Sequence, residues 1–167
     1  MRIPGKLRLR AAGSFTVLAL VCVTQQAQAD IKSDIDHPAY SFELEPHLAI
    51  APFDENRVGI GAGVTGTFNV ANEGFINHLN DSVGISLGAD WTGSGSYHLS
   101  AAMQWNFWLS HRFSVFGAPG VGVNFFDKNV DVWPAFGAGG RFHLSPNFTI
   151  TLRAGFPVSA IGLSLLF

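Results

Sequence analysis

The stretch Tyr97-His-Leu-Ser-Ala-Ala-Met-Gln-Trp-Asn-Phe-Trp-Leu109 alternates, residue by residue, between two different sets of side chains. The first set is apolar: Tyr97, Leu99, Ala101, Met103, Trp105, Phe107 and Leu109. The second set is mostly polar: His98, Ser100, Ala102, Gln104, Asn106 and Trp108. Successive side chains of a β-strand point to opposite faces. The stretch therefore predicts a strand with one apolar face and one polar face, with Trp108 on the polar side.

The same alternation recurs along the chain and predicts seven further strands, for a total of eight. The predicted strands span 42–50, 58–70, 83–91, 97–109, 113–126, 130–144, 148–156 and 158–167. Most of them approach or exceed the roughly 9–11 residues that a tilted strand needs to cross a bilayer. In the third, Val83 and Ile85 belong to the apolar face. Pro46, Pro119 and Pro134 fall inside predicted strands, and each predicts a bulge or a strand end because proline lacks a backbone N–H.

The content of the two faces indicates which solvent each face meets. A soluble barrel places its large apolar side chains inside, whereas here the polar set is mostly small and suits a narrow interior. Charged residues make up 13% of the chain, about half the roughly 25% of a typical soluble domain. After residue 29 no segment is long and apolar enough for a helical span, and a closed barrel also satisfies its backbone in lipid. We therefore predict an all-β fold, an eight-stranded antiparallel up-and-down transmembrane β-barrel over residues 41–167.

The N-terminal residues predict export. Arg2, Lys6, Arg8 and Arg10 precede an apolar stretch over 11–23, and Ala27-Gln28-Ala29 has the small-x-small pattern of a cleavage site. We predict a cleaved signal peptide over 1–29 and a polar leader over 30–40.

The charge and the cysteine content exclude several classes of function. Cleavage removes four of the ten basic residues and leaves six against twelve acidic ones, which argues against a nucleic-acid partner. It also removes Cys22, the only cysteine, so no disulfide or thiolate metal site is expected. The histidines lack metal-ligand spacing, and we predict no metal and no cofactor.

The final stretch, Ala160-Ile-Gly-Leu-Ser-Leu-Leu-Phe167, resembles the assembly signal of outer-membrane β-barrels, with Gly162, Leu165 and Phe167 at the matching positions. In size and pattern the chain resembles the class of small eight-stranded barrels that includes the OmpA barrel, OmpX and OmpW. This resemblance implies the outer membrane of a Gram-negative bacterium, with lipid, lipopolysaccharide and the barrel-assembly machinery as partners. It also implies a monomer with both termini, and the leader over 30–40, in the periplasm.

The polar face predicts a charged network inside the barrel. Its polar and charged members are Glu43, Glu45, His47, Gln104, Asn106, Arg141, His143 and Arg153. Strand direction predicts that Glu43 and Arg141 lie at similar depth, with Glu45 and Arg153 farther along. Since buried charges occur in pairs and an eight-stranded interior holds only side chains, we expect ion pairs that fill the lumen. A gated proton or ion path is the alternative.

One cluster carries the parts of a nucleophilic hydrolase. A hairpin centred on Ser94 would place Asp90 opposite His98, with Ser100 on the same face. A carboxylate, an imidazole and a hydroxyl can act as orienting group, base and nucleophile. The His98-x-Ser100 step resembles part of the motif of lipid A deacylases, but Arg112 stands where their acid is expected.

Three functions follow from these observations. The leading hypothesis is a non-enzymatic integral envelope protein with a filled polar lumen and a structural or surface-contact role. The alternatives are a narrow, porin-like pore or conduit for small hydrophobic ligands, and a lipid A acyl-modifying enzyme that uses Asp90, His98 and Ser100.

Overall fold

The computed structural model describes residues 37–54, 57–76, 79–93, 95–126 and 129–167. The strands are β1 (Phe42–Asp54), β2 (Arg57–Ala71), β3 (Asp81–Thr92), β4 (Tyr97–Ser110), β5 (Phe113–Phe126), β6 (Asn129–Ser145), β7 (Phe148–Phe156) and β8 (Ser159–Leu166). Each pairs antiparallel with its neighbours in sequence, and β1 also pairs with β8, so the sheet closes. The predicted eight-stranded up-and-down barrel is confirmed. The predicted signal peptide and the leader up to residue 36 lie outside the described residues.

The two faces of the sheet carry the predicted sets of side chains. Apolar residues on the outer face remain accessible, as at Leu99 (49% exposed) and Ile161 (52%). Polar residues on the inner face are buried, as at Gln104 and Thr151 (both 0%). Trp108, predicted to point inward, is also buried. This arrangement of an apolar exterior around a polar interior suits a lipid surround.

Val83 departs from the predicted pattern. It has the outward parity of Ile85, yet it is only 2% exposed. Its partner across the β3–β4 ladder is Trp105, whose indole N–H donates to Asp81 Oδ2 at 2.6 Å. Phe75, in the connection after β2, packs edge-on against Trp105 with ring centroids 6.4 Å apart. This connection lies against the outer wall, which alternation within a strand does not reveal.

The prediction that each proline marks a bulge or a strand end is wrong, because all three prolines lie inside their strands. Pro46 pairs with Val64 of β2, and the β1–β8 ladder skips it. Pro119 pairs with Phe136 of β6, and the β4–β5 ladder skips it. Pro134 lies beyond the last β6–β7 pair, at Phe136. Each missing N–H is thus accommodated where one ladder is interrupted or has ended.

The two ends of the barrel differ. We call the end that holds Tyr40 and Phe167 the near end, and the end that holds the β1–β2, β3–β4, β5–β6 and β7–β8 connections the far end. At the near end Phe167 N donates to Phe42 O at 2.9 Å, and Ser41 N donates to Phe167 O at 2.7 Å. At the far end the β3–β4 turn contains Gly95, whose φ of 91° favours glycine. Among the described residues no helix is long and apolar enough to cross a membrane.

Candidate functional site: the polar lumen

The predicted residues Glu43 and Arg141 meet inside the barrel, toward the near end. Nη2 of Arg141 donates to Oε2 of Glu43 at 2.9 Å, and both side chains are almost completely buried. Nη1 of Arg141 donates to Oδ1 of Asn106 at 2.6 Å. Gln104 donates to the same Glu43 oxygen at 3.4 Å. A buried guanidinium needs both a counter-charge and several acceptors, and strands β1, β4 and β6 together provide them.

A second ion pair lies farther along the lumen. Nη2 of Arg153 donates to Oε2 of Glu45 at 2.8 Å. The ring of Phe116 lies between the two arginines, with its centroid 4.5 Å from the guanidinium carbon of Arg141 and 4.8 Å from that of Arg153. Both cations therefore receive cation–π stabilisation in addition to their carboxylates. The lumen residues predicted from the sequence omit Phe116, although its parity with Ser114 and Ala118 would have assigned it to the inner face.

The third pair joins His47 and Asp90. Nε2 of His47 lies 2.6 Å from Oδ1 of Asp90, and Nδ1 lies 3.0 Å from the backbone oxygen of Glu45. Gly63 sits beside this contact, where a Cβ atom would collide with both Asp90 Oδ1 and His47 Nε2. The close approach therefore requires glycine at that position. Alternation places His47 and Asp90 on the inner face, but their pairing across the lumen depends on how β1 and β3 face each other.

Aromatic rings close the near end of the lumen. Trp108 lies between His37 and His143, at centroid distances of 5.4 and 4.5 Å. His143 lies 2.9 Å from both Ser114 Oγ and Thr149 Oγ1, so both of its ring nitrogens have partners. Tyr40 is also buried here, and burial raises the pKa of its phenol to about 12, which keeps the phenol neutral. His37 and Tyr40 belong to the predicted polar leader, so part of that segment packs into the lumen.

The structure places the three residues of the hydrolase cluster, Asp90, His98 and Ser100, around one small cavity. Asp90 does pair with His98 across the β3–β4 ladder, as the predicted hairpin requires. However, Oδ1 of Asp90 lies 2.6 Å from Nε2 of His47, so this carboxylate has a partner outside the predicted cluster. Ser100 is the fourth residue of β4 and is paired with Gly88 on one side and Gly122 on the other. The surrounding backbone amides are thus part of the sheet ladders and are not grouped as donors for an oxyanion.

Little free space remains between the charge pairs. A cavity of about 50 Å³ lies between His47, Asp90 and Arg153, enough for a few water molecules. Larger cavities open at the two ends, about 410 Å³ beside His37 and Arg112 at the near end and about 330 Å³ beside Asp131 and Trp133 at the far end. Within the described residues no group of histidine, cysteine and acidic side chains could hold a metal ion.

No protein-family model matches the chain, and no curated protein matches it. Solved structures do. A designed transmembrane β-barrel matches with a TM-score of 0.61 at 15% identity, over 80% of this chain and 99% of the design. The outer-membrane protein Ail of Yersinia pestis, solved in a phospholipid nanodisc, matches with a TM-score of 0.50 at 15% identity, over 77% of this chain and 100% of Ail. Neisserial surface protein A matches with a TM-score of 0.50 at 10% identity, over 76% of this chain and 97% of that protein.

The fold is that of the small eight-stranded outer-membrane β-barrels. These matches cover nearly the whole length of the matched barrels, so the likeness extends over the entire sheet. At 10–15% identity they establish the fold alone. The chemistry of this barrel must therefore be inferred from its own lumen and mouths.

Proposed function

We propose that this protein is a non-enzymatic barrel of the bacterial outer membrane whose filled lumen does not conduct ions. Its role in the envelope is structural or surface-contacting. The observation that carries the proposal is the stacking of three charge pairs along the lumen: Glu43–Arg141, Glu45–Arg153 and His47–Asp90. Each pair joins two different strands. Phe116 lies between the guanidinium groups of Arg141 and Arg153, and Trp108 lies nearer the near end, against His143.

The location in the membrane is supported by the outer face of the sheet. Its large apolar side chains are accessible on all eight strands. Soluble monomers rarely expose such a large continuous apolar surface to water. Assembly by the barrel machinery rests on the resemblance of Gly162, Leu165 and Phe167 to the assembly signal of such barrels. The placement of the near end in the periplasm rests on the rule for these barrels that both termini lie there. In this orientation the far end faces the cell exterior, as suits a monomeric barrel surrounded by lipid and lipopolysaccharide.

A bilayer recording tests the filled lumen. We expect the parent protein to give no steady conductance, because the cavity between the charge pairs has a volume of about 50 Å³ and ions would have to separate those pairs to pass. A variant with Trp108→Ala, Arg141→Ala and Arg153→Ala removes large side chains from the lumen and should conduct, which verifies that recording conditions detect an open barrel. Protease resistance of the reconstituted parent and of the variant verifies that both are folded and inserted. A stable ohmic channel in the inserted parent contradicts the proposal.

The second candidate is a narrow pore, and the cavities at both ends favour it. The three charge pairs and the aromatic rings around Trp108 lie between the near and far cavities. Rearrangement of these pairs and rings would connect the two mouths. Brief openings in the parent that become more frequent when Glu45→Gln removes the counter-charge of Arg153 would support this candidate over the closed barrel.

A further inference from the structure

The far end of the barrel has a low wall on one side. β7 and β8 have 9 and 8 residues, whereas β5 and β6 have 14 and 17. The β6–β7 ladder reaches only the Phe136–Phe156 pair, so 129–135 extends past the end of β7. On the other side, the β1–β8 ladder ends at Ile50–Ser159. The short β7–β8 hairpin thus leaves a notch between β6 and β1.

A cavity of about 330 Å³ lies at this notch, and we call it the vestibule. Its lining includes Asp131, Trp133, Asn124, His98, Phe156 and Pro157. Small-molecule pockets range from roughly 300 to 1,000 Å³, so the vestibule suits a small ligand. It adjoins the small cavity between the charge pairs and shares His98, Phe156 and Pro157 with it, but none of the residues of the three charge pairs lines the vestibule.

An indole forms one wall of the vestibule. Trp133 has the inward parity of Ala135 and Arg141, whereas its neighbour Val132 points outward and is 72% exposed. Trp133 itself remains 49% exposed, although it faces the cavity rather than the lipid. Phe156 contacts it edge-on, with ring centroids 6.3 Å apart and planes at 75°. An accessible indole held in place by a second ring is a preformed apolar wall with an electron-rich face.

The polar groups of the vestibule favour a cation. Asp131 supplies a carboxylate, and its partner across the β5–β6 ladder is Asn124. Oδ1 of Asn124 is buried without a hydrogen-bond donor among the described residues. No lysine or arginine of the part of the chain that the structure describes lines this cavity. The site therefore offers a negative charge and a carbonyl oxygen without a fixed positive charge to neutralise them.

We propose that the vestibule binds a small organic ammonium ion, with its positive charge beside Asp131 and its alkyl groups against Trp133 and Phe156. A carboxylate next to an aromatic face is the arrangement that recognises alkylated ammonium groups, because the indole attracts a cation that is only weakly hydrated. An inorganic divalent cation is disfavoured because it needs several oxygen ligands, and Asp131 is the only carboxylate in this lining. An anion is disfavoured because the Asp131 carboxylate would repel it. This inference goes beyond the proposed function and does not depend on whether the lumen conducts.

The test uses choline as the probe and 3,3-dimethylbutan-1-ol, in which carbon replaces the charged nitrogen, as its neutral counterpart. The full barrel is refolded in octyl glucoside, because phosphocholine detergents and lipids would compete for the site. Binding is followed by titration calorimetry and by tryptophan fluorescence. We expect saturable binding of choline and at least about tenfold weaker binding of the neutral counterpart, since only the cation gains the carboxylate and cation–π attraction.

Variants identify the site. Asp131→Asn and Trp133→Leu should each weaken choline binding about tenfold, whereas Val132→Thr, on the opposite face of the same strand, should leave it unchanged. Trp133→Phe keeps a ring and should bind with intermediate affinity, and it replaces Trp133→Leu if that variant fails to refold. Equal binding of choline and its neutral counterpart, an absence of saturable binding, or unchanged affinity in Asp131→Asn would overturn the proposal. Because the assay measures no conductance, its failure is distinct from failure of the closed-barrel proposal.

Discussion

At the scale of single residues, the lumen contains buried charged side chains, and each of them contacts a side chain of opposite charge. Arg141 is 2% exposed and Glu43 is 0% exposed, so neither charge is solvated by bulk water. Their mutual contact and the amides of Asn106 and Gln104 replace that solvation. Such a cluster is costly to break from one side, because the remaining charge is left buried without a partner.

Arg141→Ala should therefore destabilise the barrel by roughly 3–5 kcal/mol, the cost of leaving one member of a buried pair alone. The double variant Glu43→Ala/Arg141→Ala should recover part of that loss, because it removes both charges together. Urea unfolding in lipid vesicles measures the free energy of unfolding for each variant. Arg112→Ala is the matched control, since Arg112 is an exposed arginine in the turn after β4. An Arg141→Ala barrel as stable as the Arg112→Ala control would show that the pair does not stabilise the fold.

At the scale of elements, the closure between β1 and β8 is the step that turns a sheet into a barrel. The ladder between them skips Pro46, so the backbone pairing at this seam is incomplete. The contacts of Phe167 complete the near end of the seam through backbone hydrogen bonds to Ser41 and Phe42. Its ring also stacks against Phe42, with centroids 6.3 Å apart.

Deletion of Phe167 should reduce the fraction of protein inserted in the outer membrane. The deletion removes the backbone pairing at the near end of the seam and one position of the proposed assembly signal. Insertion is measured from the heat-sensitive gel mobility of the membrane fraction. Phe167→Tyr keeps the ring and the backbone and should insert like the parent. Full recovery of the deleted chain as a soluble periplasmic protein would contradict the membrane location.

At the scale of the whole molecule, the barrel presents its polar side chains to the lumen. Asp90, His98 and Ser100 of the hydrolase cluster are all residues of strands β3 and β4. Asp90 is shared with His47, and Ser100 is paired on both sides by ladders. A catalytic serine needs an oriented base and nearby free amide donors. The closed sheet uses these backbone donors for its own hydrogen bonds.

We therefore expect the purified, refolded protein to release no acyl chains from lipid A. Mass spectrometry of lipid A after incubation with the protein checks this directly, with heat-unfolded protein as the blank. Release by the folded protein that is abolished in Ser100→Ala and retained in Ser110→Ala, a serine in the last position of β4, would establish the enzymatic alternative.

Much of the fold follows from the sequence because strand geometry is local. Alternation in 97–109 assigns His98, Gln104 and Asn106 to one face without knowledge of any other strand, and the same argument places Glu43, Glu45 and Arg153. It fails at Val83, since burial there comes from the connection after β2, which packs against the outer wall. It also fails at the prolines, since a strand can continue through proline where one of its two ladders is interrupted.

The sequence by itself determined the class of barrel, the composition of its two faces and the approximate depth of each charge. The face follows from a period of two along one strand, and the depth follows from position along a strand of known direction. Only the tertiary structure decided which groups meet. His47 contacts Asp90, Phe116 lies between Arg141 and Arg153, and the short β7–β8 hairpin opens the vestibule beside Trp133. These contacts depend on the register between eight strands and on closure of the sheet, which bring distant parts of the chain to the same depth and orientation.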